Sequence, residues 1–186
     1  MPGSDQTESY SEPATNVVKT WWLSGLPGAG KTTLAQSLAN HLREQYIAVC
    51  VLDGDEIRQG LSKDLGFSQA DREEQSRRTA EVARLLNLNG ISAIVALVAP
   101  SLRGRALARE IIGNDKFVET YVSTPLHVCQ QRDPKGWYAR AKLNPALQLT
   151  GVSSPYEAPA AAECVIDTSQ TALPIAIQQL SSFLKA

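Results

Sequence analysis

The sequence predicts a three-layer α/β domain on a mainly parallel five-stranded sheet. Two observations carry that prediction. Short apolar runs alternate with helix-like segments along the chain. A glycine-rich phosphate-loop pattern, Gly25-Leu26-Pro27-Gly28-Ala29-Gly30-Lys31-Thr32, joins the first such run to the first such helix.

Residues 19–24 read as the end of a strand, and residues 33–43 as a helix with Leu34, Leu38 and Leu42 on one face. Between them, Gly25, Gly28 and Gly30 let the backbone turn its N–H groups toward an anion. The helix N-terminus at Thr33 adds partial positive charge. Lys31 is placed for the outer phosphates, and the Thr32 hydroxyl for magnesium.

Residues 48–52 form a second apolar run, suited to a buried parallel strand, and end in Asp53-Gly54-Asp55. A loop is expected through Phe67. Residues 71–89 read as a long helix with Val82, Leu85, Leu86 and Leu88 as its apolar positions and Gly90 as its stop. Residues 91–98 are the most strand-like run, ended by Pro100. A helix at 102–112 and a strand at 117–122 follow, then a helix from Pro125 to about Arg132. Residues 133–159 show little periodicity. Residues 164–167 make a last strand, and 171–184 a closing helix. In a parallel sheet of this kind ligands bind beyond the strands' carboxyl ends, so Thr32, Asp53, Pro100 and Arg132 are expected to converge.

The formal net charge of −1 argues against a general nucleic-acid or membrane-surface binder, which needs a basic excess. No apolar run approaches the roughly 20 residues of a bilayer span. Residues 1–16 are polar and acidic, lack the order of a secretion signal, and read as a disordered tail. Cys50, Cys129 and Cys164 are odd in number and widely spaced. They read as free thiols of a cytoplasmic protein. His41 and His127 stand alone and make no zinc site.

Two carboxylates one strand after a phosphate loop suit metal positioning and base chemistry, so Asp53 and Asp55 are candidate catalytic residues beside Lys31.

The run from Asp53 to Ser68, Asp-Gly-Asp-Glu-Ile-Arg-Gln-Gly-Leu-Ser-Lys-Asp-Leu-Gly-Phe-Ser, closely resembles the adenylylsulfate kinase (APS kinase) family. So do Asp71-Arg72-Glu73-Glu74 with Arg77-Arg78, Thr124-Pro125-Leu126 with Cys129, and Arg132-Asp133-Pro134-Lys135-Gly136. Thr150-Gly151 with Pro155-Tyr156-Glu157-Ala158-Pro159 completes the likeness, which runs from about Thr20 to Thr168.

The resemblance implies a P-loop kinase domain at 17–186 with a mobile lid at about 133–159. It implies ATP-dependent phosphorylation of the ribose 3′-hydroxyl of adenylylsulfate, giving 3′-phosphoadenylylsulfate and ADP. ATP would be held by residues 25–33 and Arg132, and magnesium by Thr32 and Asp53. Asp55, Arg58, Phe67, Arg72, Gln75 and Lys135 would meet the acceptor, with Arg58 and Arg72 gripping its phosphosulfate and Phe67 stacking on its adenine. Arg77, Arg78 and Arg84 have a plain alternative as a solvated helix face. Residues 155–159 would help wall the ATP base pocket. A homodimer is also implied, as is no nucleic-acid or membrane partner.

The departures from the family pattern fall on the acceptor side. Gln75 stands for the usual asparagine, and Ala99 for a serine. Ser101 and Leu102 replace an aromatic or histidine and an arginine, with Arg103 displaced by one place. Leu147 replaces a basic lid residue, and Leu149 a second base-stacking aromatic. Ala99 excludes a phosphoenzyme at that position, which direct in-line transfer does not require. Two alternatives stay open: a related kinase of another acceptor such as cytidine diphosphoramidate, and a non-catalytic nucleotide-binding module.

Overall fold

The computed structural model describes residues 17–144 and 147–185. The expected tail at 1–16 lies outside the described residues. Five strands form one sheet: β1 (Thr20–Ser24), β2 (Val49–Asp53), β3 (Ser92–Ala96), β4 (Phe117–Val122) and β5 (Cys164–Ile166). Their order is β2-β3-β1-β4-β5, and every pairing is parallel. The mainly parallel sheet of the sequence reading is wholly parallel.

The helices are α1 (Lys31–Glu44), α2 (Gly54–Gln59), α3 (Gln69–Leu88), α4 (Leu102–Ile112), α5 (Leu126–Arg132), α6 (Trp137–Leu143) and α7 (Leu173–Ser181), with a closing 3-10 turn, Ser182–Lys185. Central β1 is buried on both faces, and its side chains alternate between two cores. Trp21 and Leu23 join Leu34, Leu38 and Leu42 of α1 and Leu180 of α7 on one face. Trp22 packs with Ala80, Ala83 and Ala108 of α3 and α4 on the other, and stacks on Phe117 with ring centroids 5.7 Å apart.

Three expectations are corrected. The segment after Asp53 opens with a helix, α2, rather than a loop. The Asp53 carboxylate caps it by accepting the Asp55 N–H at 3.0 Å, and Asp55 and Glu56 suit its first turn. Six residues are too few to show a helical period.

The long helix α3 starts at Gln69, two residues earlier than expected. Ser68 and Asp71 make a reciprocal capping box there. Its buried face is Gln75, Ser76, Thr79, Ala80, Ala83 and Asn87, whereas Leu85 and Leu88 are 53% and 63% exposed. Small residues let α3 lie close to the sheet and α4. The buried polar ones are satisfied: Asn87 accepts from the Thr20 hydroxyl at 2.8 Å and donates to the Ile91 carbonyl.

The segment after Asp133 also carries a helix, α6. Asp133 accepts the backbone N–H groups of Tyr138 and Ala139 at 3.1 and 2.9 Å, and Tyr138 is the one residue α6 buries. A short helix with a single buried position leaves no periodic signal.

The three cysteines are free thiols. Cys129 and Cys164 are buried and Cys50 partly so, and burial raises the thiol pKa of the first two. No helix among the described residues is long and apolar enough to cross a membrane.

Candidate active site

Beyond the carboxyl ends of the strands lies a cavity of about 710 Å³, within the range of small-molecule sites. Its floor comes from the turn after β1. Gly25 has φ 148°, and a Cβ there would stand 2.5 Å from the Val122 carbonyl oxygen, so only glycine fits between the turn and β4. Gly30, at φ 101°, passes the chain into α1. Pro27, Gly28, Gly30, Lys31, Thr32 and Thr33 line the cavity. Gly25, Leu26 and Ala29 shape the loop from behind. The Gly25 and Leu26 carbonyls accept the Lys31 ammonium at 2.8 Å, and the Ala29 carbonyl accepts the Thr124 and Thr168 hydroxyls at 3.0 and 2.8 Å.

Burial pulls the Lys31 pKa down to about 8, against smaller opposing effects from Cys129 and Asp53. The ammonium is thus desolvated and held by neutral carbonyls, a state that a polyphosphate would relieve. The Thr32 hydroxyl donates to the Asp53 carboxylate at 2.7 Å. These are two adjacent hard oxygens, the donor type that magnesium takes. Among the described residues no cluster of three histidine, cysteine or acidic side chains could hold a metal. An ion here would therefore keep water and phosphate ligands, as magnesium ordinarily does in kinases.

Arg58, Phe67, Arg72 and Gln75 line the same cavity. The Arg58 guanidinium lies 4.4 Å from the Phe67 ring centroid and that of Arg72 lies 5.5 Å from it. Backbone carbonyls orient both: Leu65 and Gly66 accept from Arg58, and Phe67 from Arg72. Neither forms an ion pair with a carboxylate among the described residues, and Nη2 of Arg58 is buried without a hydrogen-bond partner. Burial and then the neighbouring Arg58 charge lower the Arg72 pKa to about 10. Asp71 and Asp55 act on Arg58 from beyond ion-pair distance, so the two neighbouring guanidiniums keep donors open to an anion. By contrast, Arg77 and Arg78 pair with Glu74, Arg78 also with Asp64, and Arg84 with Glu81. These three serve helix-surface ion pairs.

Asp55 lines the cavity too, and Lys135 forms an ion pair with its carboxylate. Gln75 is buried and donates to the Gly54 carbonyl at 3.1 Å, so its extra methylene is spent bracing the acidic turn. Arg132 donates to the hydroxyl and carbonyl of Thr168 at 2.6 and 3.1 Å. Thr168 thereby ties Arg132 to the phosphate loop, a role that an isolated threonine past the last strand does not signal in sequence. Of the four residues expected to converge, Thr32, Asp53 and Arg132 line the cavity. Pro100 does not, but its neighbour Ala99 does, at φ 40°. Leu147 and Leu149 also line it.

Residues 155–159, expected beside the ATP base, do not line this cavity. Pro155, Tyr156 and Ala158 border a separate cleft with Leu26 and Tyr121. Tyr156 stacks on Tyr121 and bonds Ser24, while Glu157 accepts the Leu102 N–H at 2.6 Å, capping α4. These side chains brace the carboxyl ends of β1 and β4 and the start of α4.

Residues 17–167 match the family model for adenylylsulphate kinase. The chain belongs to the adenylylsulfate kinase family. An adenylyl-sulfate kinase from Shewanella denitrificans is 43% identical over 182 residues, covering 98% of this chain and 88% of that one. One from Shewanella amazonensis is 47% identical over 163 residues, covering 88% and 82%. The fold superposes on an APS kinase of Mycobacterium tuberculosis in complex with AMPPNP and APS, with a TM-score of 0.87 and 38% identity. That match covers 91% of this chain and 98% of the other. A hexameric APS kinase from Thiobacillus denitrificans gives a TM-score of 0.68 at 33% identity, over 92% of this chain and 29% of that one.

Proposed function

We propose that this chain phosphorylates the 3′-hydroxyl of adenylylsulfate with ATP, giving 3′-phosphoadenylylsulfate and ADP. The observation that carries the reading is the pair Arg58 and Arg72 on Phe67, neither in a direct ion pair among the described residues, in one cavity with the phosphate loop. A base with two linked anionic groups matches an aromatic ring flanked by two guanidiniums. Family membership supports the same acceptor.

In this reading the phosphate-loop amides and Lys31 cradle the phosphates of ATP, and Arg132 lies against its base. Thr32 and Asp53 hold magnesium, which neutralises phosphate charge when bound. Asp55 takes the proton from the acceptor hydroxyl, once Lys135 has moved from its carboxylate to the transferring phosphoryl group. The lid at about 133–159 excludes water, so the phosphoryl group reaches the acceptor instead of solvent. Tyr138 already joins that segment to the phosphate loop through the Pro27 carbonyl at 2.9 Å.

The same reading takes residues 17–186 as the kinase domain. It assigns a homodimer on family grounds and a cytoplasmic setting on the three free thiols.

The test is an acceptor screen with purified protein, ATP and magnesium. ADP release that depends on adenylylsulfate is expected. Turnover of a cytidine diphosphate derivative with no response to adenylylsulfate would overturn the reading. ATP binding without turnover of any acceptor would point to a regulatory module.

A further inference from the structure

We propose that Trp137 supplies the second aromatic face that clamps the acceptor's purine against Phe67. The inference rests on the functional reading above and deepens it, by naming the residue that selects the base.

The position before Thr150, where the family resemblance places a second stacking ring, is Leu149, which is buried and lines the cavity. An isobutyl group fills space but presents no π-face. Among the described residues lining the cavity, the aromatic side chains are Phe67 and Trp137. They already touch: their ring centroids are 6.2 Å apart at 62°, an edge-to-face arrangement. That is how two rings settle with nothing between them. A base held between parallel rings needs centroids about 7 Å apart, twice a carbon–carbon contact of roughly 3.5 Å. The pair is therefore within about 1 Å and one ring rotation of a clamp.

The rotation is one of the Trp137 side chain, which is only partly buried. Trp137 is the first residue of α6, directly after Gly136, whose φ is 66°. Nothing lies within 4 Å of where a Cβ on Gly136 would stand. Guanidiniums hold both rings, Arg58 at 4.4 Å from the Phe67 centroid and Arg140 at 4.2 Å from that of Trp137. An indole offers the largest π-surface of any side chain, which gives a modest preference for a bicyclic purine through stacking strength. Trp137 thus restores from the lid the stacking face that Leu149 lacks, and it adds discrimination against cytidine acceptors.

The test combines kinetics with fluorescence. Trp137→Leu should raise the KM for adenylylsulfate by about 5- to 150-fold, the scale of one lost stacking face, with the KM for ATP within about twofold. Adding Leu149→Phe to that variant should recover most of the loss, because it returns a ring to the same cavity. Trp21 and Trp22 are fully buried in β1. Adenylylsulfate should therefore quench a tryptophan signal in the wild type that Trp137→Phe lacks. An unchanged adenylylsulfate KM in Trp137→Leu would overturn the clamp while leaving the kinase assignment standing. So would absence of quenching in an enzyme that turns adenylylsulfate over. A wild type that does not phosphorylate adenylylsulfate would overturn both.

Discussion

Lys135 and Asp55 form an ion pair across the cavity, joining the segment after α5 to the acidic turn after β2. Each side chain is about half exposed. The carboxylate that would act as base is therefore occupied until another anion draws Lys135 away. Asp55→Asn keeps the shape and removes the charge. Turnover should fall by about 10²-fold or more, the scale of a lost general base, with ATP affinity little changed. Steady-state kinetics alongside ATP-binding calorimetry check this. Loss of ATP binding alone would reassign Asp55 to the metal.

Asp53 has two separable tasks. It caps α2 through the Asp55 N–H and accepts the Thr32 hydroxyl. Asp53→Ala should cost about 0.5–2 kcal/mol of stability through the lost cap, while Asp53→Asn keeps a cap oxygen and costs little. Both should lose most turnover, because each removes the charge beside the metal position. Thermal unfolding and kinetics on the two variants separate the tasks.

Lys31 makes ATP affinity pH-dependent. Its pKa in the free protein is about 8, against 10.5 when unperturbed. Between those values the folded chain binds fewer protons than the unfolded one. The cost of burying the charge is thus fully present below pH about 8 and disappears as pH rises toward 10.5. Bound phosphates act in the opposite sense and raise the pKa. ATP binding should then take up a proton above pH about 8, and affinity should fall as pH rises. Calorimetry in buffers of different ionisation enthalpy measures the uptake. Lys31→Arg does not titrate there and should bind with a flatter pH dependence.

Much of this site was legible in sequence because phosphate chemistry uses fixed spacing. The glycines, Lys31 and Thr32 must be consecutive for one turn to cradle an anion, so eight residues announce it. Strand positions followed from apolar runs such as 91–98, buried on both faces. What failed to show were features without periodicity. Helices α2 and α6 are too short to repeat. The buried face of α3 is built of alanine, serine, threonine, glutamine and asparagine, so its apolar pattern lies on exposed leucines instead. The separation of Tyr156 from the main cavity depends on stacking with Tyr121, 35 residues earlier, which no local pattern encodes.

Arg105 ties Ala99, which lines the cavity, to β4 and to Glu157. It is 2% exposed, pairs with Glu119 at 2.8 Å, and donates to the carbonyls of Ala99 and Glu157. Arg105→Leu leaves those acceptors unsatisfied and weakens the charge balance around Glu119. A loss of about 3–5 kcal/mol is expected, the cost of breaking a buried pair from one side. Denaturant unfolding of the variant checks it. A change below about 1 kcal/mol would mean that water replaces the guanidinium.

Arg58 should discriminate between the two substrates. Arg58→Ala removes a charge-assisted contact worth about 1.5–3 kcal/mol, so kcat/KM for the acceptor should fall by roughly 10- to 150-fold while the KM for ATP stays near its starting value. An equal loss for both substrates would move Arg58 out of the acceptor site.

The most direct test of the central claim is the identity of the product. Incubation with ATP, magnesium and adenylylsulfate, followed by phosphorus NMR coupled to the ribose protons, locates the transferred group. The expected result is one new phosphate coupled to the 3′ proton, formed mole for mole with ADP. A phosphate at any other position, or ADP formed equally without acceptor, would contradict the account.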